Sequence, residues 1–148
     1  RNTMYNLSIR MLPGVRKLLI TVCLLFMSNV SAAERQGLVL QVSENDPKLW
    51  HMVLNIAKNA PKNSEQPLDV KVVAFGPGLK MLAMDSRVAN RLYTAINNGV
   101  TFLACGMTMK KLKMKDDELY DHDHIKRVDG GVIEIMRLQK AGWTYIRP

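Results

Sequence analysis

Cysteine is scarce in this chain, and only two of its 148 residues are cysteines, Cys23 and Cys105. Aromatic residues make up only 6% of the sequence, and no basic motif interleaved with aromatic residues is present. That motif is the usual mark of a protein that stacks on nucleic-acid bases. The sequence also has no apolar run of about 20 residues, the length that spans a membrane as a helix. These absences argue against a disulfide-rich scaffold, a nucleic-acid-binding protein and a membrane-spanning protein.

The longest apolar run lies near the N-terminus and has the features of a secretion signal. Arg16 and Lys17 form a positively charged region, and residues 18–27 form the short apolar segment that follows it. Residues 30–33, Val-Ser-Ala-Ala, provide the small side chains that a signal peptidase requires. A lipoprotein signal is not expected, because a small residue is needed immediately before the cysteine and Val22 occupies that position.

We expect cleavage after residue 32 or 33. Residues 1–33 would then be upstream residues and signal peptide, and residues 34–148 would form one domain that is periplasmic or secreted, with no stable membrane span after cleavage. Four bases and no acids lie in the first 33 residues, so the formal net charge falls from +8 to +4 on cleavage. The remaining domain keeps one cysteine, Cys105, which therefore has no partner for a disulfide within the chain.

Short apolar segments alternate with amphipathic ones along the predicted domain. The pattern predicts strands over 37–42, 70–75, 100–104, 125–128 and 143–146. It predicts helices over 48–60, with Asp46 as the N-cap, then over 79–84 as a short turn, from 85–86 to 99, over 108–115 and over 131–141. A polar loop is predicted over 61–67. This alternation predicts a small three-layer α/β sandwich with a mostly parallel sheet.

Ligands of such sheets bind beyond the carboxyl ends of the strands. Three turns are expected at that edge, and Cys105 ends the third strand, directly before a segment that can start a basic helix. The positive end of a helix and nearby lysines favour the thiolate, the form that attacks electrophiles and carries sulfur. Cys105 is therefore the candidate reactive residue. The candidate binding residues from the same turns are Asn45, Gly76, Gly78, Gly106, Thr108, Lys110 and Lys111.

Three segments of the sequence resemble the DsrE/DsrF-like proteins, particularly their uncharacterised single-domain branch. They are Val-Val-Ala-Phe-Gly-Pro-Gly at 72–78, Phe-Leu-Ala-Cys-Gly-Met-Thr at 102–108, and the closing residues 131–148. The resemblance implies a DsrE-like fold, a homo-oligomer (trimer or hexamer), and a persulfide on the cysteine that ends the third strand, a position that Cys105 matches. Characterised relatives are cytoplasmic sulfur carriers, whereas this chain has an export signal and a Gly-Met-Thr-Met-Lys-Lys run after the cysteine.

The sequence thus predicts an exported DsrE-like protein whose Cys105 binds or transfers sulfane sulfur, as a sulfur carrier or a sulfurtransferase-like protein. Its partners would be a sulfur donor and an acceptor protein, and no cofactor is expected. The alternative is a non-enzymatic protein that binds a small ligand or assembles with a partner chain. In that alternative Cys105 packs in the interior, as free cysteines often do.

Two other groups of residues contain possible metal ligands. The acidic segment 116–124 includes His122 and His124, but this spacing on a loop is weakly specific and clustered acids are usually solvated. A set of methionines near Cys105 could bind monovalent copper, although methionines more often fill gaps in cores and subunit contacts. We therefore predict no metal site. The methionines are Met81, Met84, Met107, Met109 and Met114.

Overall fold

The structure is a computed structural model that describes residues 36–148. It contains a five-stranded parallel sheet with helices, which confirms the predicted α/β class. The strands are β1 Gln36–Val42, β2 Leu68–Ala74, β3 Thr101–Cys105, β4 Lys126–Val128 and β5 Thr144–Ile146. The helices are α1 Pro47–Asn63, α2 Ala89–Asn97, α3 Gly106–Leu112 and α4 Gly131–Lys140, with 3₁₀ helices at Gly76–Leu82 and Asp116–Glu118. The predicted signal peptide, residues 1–33, lies outside the described residues.

The strand order in the sheet is β4-β3-β2-β1-β5. From β1 to β4 the chain steps along the sheet in one direction, and α1, α2 and α3 pack on one face. Helix α4 then crosses the opposite face and returns the chain to the far side of β1, where β5 pairs with it. The sheet is therefore covered on both faces, as expected for parallel strands. Among residues 36–148 no helix has both the length and the hydropathy needed to cross a membrane.

The alternation of side chains along each strand divides the core in two. The larger core lies under α1, α2 and α3 and includes Leu40 and Phe102, which are fully buried. The smaller core lies under α4 and includes Val39, Val73 and Leu103. Successive residues of a strand thus serve different cores, and the position of a residue in its strand determines which helices it meets.

Helix α1 begins as predicted but ends later. The carboxylate of Asp46 accepts a hydrogen bond from the backbone amide of Lys48 at 2.8 Å, and Pro47 occupies the first turn. The prediction that the loop begins at residue 61 was wrong, because the helix continues to Asn63 with Pro61 in its last turns. A proline near a helix end removes only one backbone hydrogen bond, so the helix can continue for two residues beyond it.

Three other predicted boundaries also differ from the structure. The short turn predicted over 79–84 is a 3₁₀ helix that starts at Gly76, whose positive φ of 53° turns the chain as β2 ends. Helix α3 starts at Gly106, two residues before the predicted start, and ends at Leu112 because Lys113 adopts a left-handed conformation. Helix α2 starts at Ala89, and the predicted cap at residues 85–86 belongs to the turn before it.

Candidate functional site

Cys105 lies where the connections of the sheet change from one face to the other. After β3 the chain turns into α3 on the face of the larger core, and after β4 it turns into α4 on the opposite face. The carboxyl ends of strands whose connections diverge in this way are the usual place for ligands in parallel sheets. Cys105, the last residue of β3, pairs with Val128, the last residue of β4. The topology thus places the only cysteine among the described residues at this edge of the sheet.

The side chain of Cys105 faces α4. Its Sγ accepts a hydrogen bond from the backbone amide of Gly131, the first residue of α4, at 3.2 Å. Val128 neighbours it on β4, and Phe75 follows β2 on its other side. The cysteine is 5% exposed. The sulfur therefore lies between apolar neighbours but beneath a polar helix start.

Hydrogen bonding lowers the pKa of the Cys105 thiol. Burial raises this pKa. The hydroxyl of Thr108 and the backbone amides of Gly131, Thr108 and Met107 lower it by a larger amount in total, so the net change is downward. The Gly131 amide donates the 3.2 Å hydrogen bond described above, whereas the amides of Met107 and Thr108 lie in the first turn of α3. Amides at a helix start favour a negative charge nearby, although the Met107 amide also donates to the backbone carbonyl of Asp129 at 3.1 Å. The starts of two helices thus favour the thiolate of one sulfur.

Thr108 connects the turn after β2 to the cysteine. Its hydroxyl oxygen accepts a hydrogen bond from the backbone amide of Gly76 at 3.0 Å. A hydroxyl can accept one hydrogen bond and donate another. The bond from Gly76 therefore leaves the hydroxyl hydrogen of Thr108 free to be donated to Cys105, which lowers the thiol pKa.

Gly78 and Gly106 are required by close packing at this edge. A Cβ atom on Gly78 would lie 2.4 Å from the carbonyl oxygen of Val42, at the end of β1. A Cβ atom on Gly106 would lie 2.9 Å from the carbonyl oxygen of Val128. Both contacts are with backbone, which cannot move aside easily. These two glycines allow the strand ends and the helix starts to approach each other.

The other predicted binding residues lie apart from the sulfur. Asn45 lines a separate cavity of about 410 Å³ beyond β1, together with residues that include Trp50 and Lys80. Lys110 and Lys111 are exposed in the last turn of α3. Within residues 36–148, neither lysine forms a hydrogen bond or ion pair with Cys105.

Two residues of the site were not predicted from the sequence. Gly131 supplies the aligned amide, and Phe75 packs against it so closely that a Cβ atom on Gly131 would lie 3.0 Å from the Phe75 ring. The Gly130-Gly131 pair at the start of a predicted helix was the available signal. Paired glycines at a helix start often mark a close approach of the backbone to another group.

The possible metal ligands do not converge in the described residues. His124 bonds to Asp121 at 2.9 Å, whereas His122 lies 3.6 Å from Asp123. Across residues 36–148, no three side chains of His, Cys, Asp or Glu are grouped as a metal site would require. The methionines are also dispersed. Met81 and Met109 are buried in the larger core, whereas Met84 and Met107 are exposed.

Comparison with known proteins agrees with this architecture. Residues 36–148 match the model of the DsrE/DsrF-like family. A solved protein of unknown function from Methanobacterium thermoautotrophicum is 29% identical, with a TM-score of 0.72, and the match covers 76% of this chain and 99% of that one. Another of unknown function from Bacteroides thetaiotaomicron is 16% identical, with a TM-score of 0.57, over 80% of this chain and 99% of that one, and it supports the fold alone.

No curated protein matches the chain. The family match covers every described residue, including all five strands and Cys105. The resemblance noted in the sequence is therefore confirmed. This chain belongs to the DsrE/DsrF-like family.

Proposed function

We propose that this protein carries sulfane sulfur as a persulfide on Cys105. The observation that supports the proposal most strongly is the position of the sulfur, where α3 and α4 both begin and their amides lower the pKa of the thiol. A lowered pKa increases the fraction of a cysteine that is thiolate, the form that reacts as a nucleophile. The family is associated with sulfur relay in general, which agrees with this chemistry.

Loading of the cysteine would be a nucleophilic displacement. Cys105 first loses its proton to solvent, and its thiolate attacks the outer sulfur of a donor such as thiosulfate or a polysulfide. A bond forms between Sγ and that sulfur, and the bond from that sulfur to the rest of the donor breaks. The leaving group, sulfite in the case of thiosulfate, takes the bonding electron pair. No external oxidant is needed.

Delivery would use the same chemistry in the opposite direction. The thiolate of an acceptor attacks the outer sulfur of the persulfide, and Cys105 leaves as a thiolate. The amide of Gly131 and the hydroxyl of Thr108, which lower the thiol pKa, would make Cys105 a better leaving group. Phe75 and Val128 would limit the access of water to the loaded sulfur. Lys110 and Lys111 would contribute only a general positive field, because both are exposed and neither bonds to the cysteine.

Intact-mass analysis tests this proposal directly. The full chain with Cys23→Ser, so that only Cys105 can react, would be incubated with thiosulfate or polysulfide. We expect the mass of one added sulfur atom, which a reducing thiol removes. The matched control is the same chain with Cys105→Ser, which should gain nothing. The proposal fails if no sulfur is added, or if the control gains as much.

The low exposure of Cys105 favours a second candidate function, in which the cysteine only packs and the sheet edge binds a small ligand or a partner chain. The two candidates differ in alkylation kinetics. A carrier thiol reacts with iodoacetamide in the folded protein, at a rate that follows a lowered pKa. A packing cysteine reacts only after denaturation. Measuring the rate against pH in folded and unfolded protein decides between them.

We also propose that the domain is exported and forms a homo-oligomer. The basic, apolar and small-residue regions within residues 1–33 support export. Fractionation of cells that express the chain, with immunodetection of its C-terminal part, tests the location, and light scattering of the purified protein tests assembly. A protein found wholly in the cytoplasm contradicts export, and a monomeric mass contradicts assembly.

A further inference from the structure

An exposed apolar patch adjoins the site of Cys105. It consists of Met107 in α3 and of Val132, Ile133 and Met136 in the first six residues of α4, which are 70%, 54%, 65% and 50% exposed. Side chains of the two helices approach each other at Gly130, where an added Cβ atom would lie 3.4 Å from both the sulfur of Met107 and the side chain of Ile133. The patch is therefore continuous across the two helices whose starts enclose the cysteine.

Positive charge lies along one side of this apolar patch. Residues three and four positions apart share one side of a helix, so Lys110 and Lys111 lie on the same side of α3 as Met107. Both lysines are exposed, and neither forms an ion pair within residues 36–148. Arg137 of α4 contributes little free charge, because Glu134 binds it through two hydrogen bonds of 2.6 and 2.8 Å. The two lysines thus set the sign of the field on this side.

Acidic side chains do not cancel this charge. Asp129 is an exposed acid just before α4, and its backbone carbonyl accepts a hydrogen bond from the Met107 amide at 3.1 Å. The two helices themselves contain one acid, Glu134, which is bound to Arg137, so Asp129 is outnumbered by Lys110 and Lys111. The field around the apolar patch therefore remains positive and favours an acidic partner.

The charge disfavours a two-fold contact through the apolar patch, whereas a ring of copies, in which the patch would meet a different surface of the next copy, is an outcome of the test below. A two-fold contact places the same surface of two copies together. Here it would bring the lysines of one copy near those of the other, and like charges in contact oppose association. The apolar patch also extends over four side chains of two helices, which exceeds what a small donor such as thiosulfate could cover.

We propose that the apolar patch docks an acidic protein partner that presents a cysteine between apolar residues. This proposal rests on the proposed function, since the partner would exchange sulfur with Cys105. The apolar side chains would provide contact area, and the flexible methionines could adapt to the partner's shape. Lys110 and Lys111 would pair with its acids and orient its thiol toward Cys105.

Peptide binding tests the surface separately from the sulfur chemistry. The probe is a labelled peptide with a central serine between two leucines and two aspartates at each end, and its counterpart has lysines in place of the aspartates. Binding to the full chain is followed by fluorescence anisotropy. We expect the acidic peptide to bind about tenfold more tightly, with an advantage that decreases as salt rises.

Variants of the chain identify the surface responsible. The pair Lys110→Glu and Lys111→Glu should abolish the preference for the acidic peptide, and Ile133→Ser should weaken its binding. Lys58→Glu with Lys62→Glu is the matched control, because it makes the same change in charge on the exposed side of α1. Circular dichroism spectra would show that each variant remains folded.

Three results would overturn the proposal. The first is equal affinity for the two peptides, and the second is an equal loss of preference in the α1 control. The third is an oligomer that dissociates on Ile133→Ser, which would mean that a second copy covers the apolar patch. Because the peptides contain serine, their binding does not depend on the reactivity of Cys105. Binding without persulfide formation refutes the proposed function alone, and persulfide formation without binding refutes the docking surface alone.

Discussion

Replacing Thr108 by valine removes the hydroxyl next to the sulfur of Cys105 and keeps a side chain of similar shape. The hydroxyl is the first of the groups that lower the thiol pKa. A hydrogen bond to a charged group contributes roughly 1.5–3 kcal/mol, and about 1.4 kcal/mol corresponds to a factor of ten in an equilibrium. The pKa of Cys105 should therefore rise, and its thiolate fraction at slightly acidic pH should decrease about tenfold or more.

The rate of alkylation by iodoacetamide, measured against pH in the Cys23→Ser chain, reports this change. Thr108→Ser should behave like the parent chain, because serine keeps the hydroxyl. Thr94→Val is the matched control. The Thr94 hydroxyl donates to the carbonyl of Asn90 within α2, at a distance of 2.9 Å, and has no role at the cysteine.

Thr108→Val also leaves the amide of Gly76 without its acceptor. An unpaired amide in a partly buried position should lower the free energy of unfolding by about 1–2 kcal/mol. Denaturation in urea measures this effect separately from the titration. If Thr108→Val loses stability but its alkylation profile coincides with that of the parent chain, the hydroxyl supports the turn and does not act on the sulfur. The electrostatic account of the site would then be wrong.

Three further predictions concern packing and ionisation. Gly78→Ala should lower the free energy of unfolding by about 1–3 kcal/mol, since its Cβ atom would meet the carbonyl of Val42 at 2.4 Å, and an unchanged urea midpoint would contradict this. The lowered pKa of Cys105 stabilises the fold above the thiol pKa of the unfolded chain, and this stabilisation disappears as pH falls through the folded pKa. The stability advantage over Cys105→Ser should accordingly increase with pH, and a constant difference across denaturation curves would refute the shift. Asp121 raises the pKa of His124, and His124 lowers that of Asp121. Both groups are therefore charged only at pH values above the pKa of Asp121 and below the pKa of His124. Asp121→Asn should lower the pKa of His124 in an NMR titration, and an unmoved resonance would show that the pair does not form in solution.

The architecture could be predicted from the sequence because its signals are local. The buried strands are continuous apolar runs, and Asp46 followed by Pro47 marks the start of α1 as the structure shows. The position of Cys105 at the end of β3 follows from the same pattern, because the strand is apolar up to the cysteine and a glycine comes next. Parallel strands then bring the ends of β2, β3 and β4 to one edge.

The details of the site could not be predicted because they depend on contacts between distant segments. The bond from Gly131 to Cys105 joins residues 26 positions apart, and the bond from Gly76 to Thr108 joins residues 32 apart. In the sequence, the only local sign of either hydrogen bond is the glycine that donates it. Asn45 lies at the predicted edge, but β2 separates the end of β1 from the end of β3, and Asn45 lines another cavity.

The pairing of β1 with β5 has a consequence for how the chain is made. Leu38 pairs with Thr144, although more than a hundred residues separate them in the sequence. If the chain emerges from its N-terminus, β1 can pair with β2 early, but its other side has no neighbour until β5 has emerged. An unpaired strand edge can recruit strands from other chains, and contacts between distant residues form slowly. A chaperone that shields the chain until its last strand is in place would therefore be most useful to this protein.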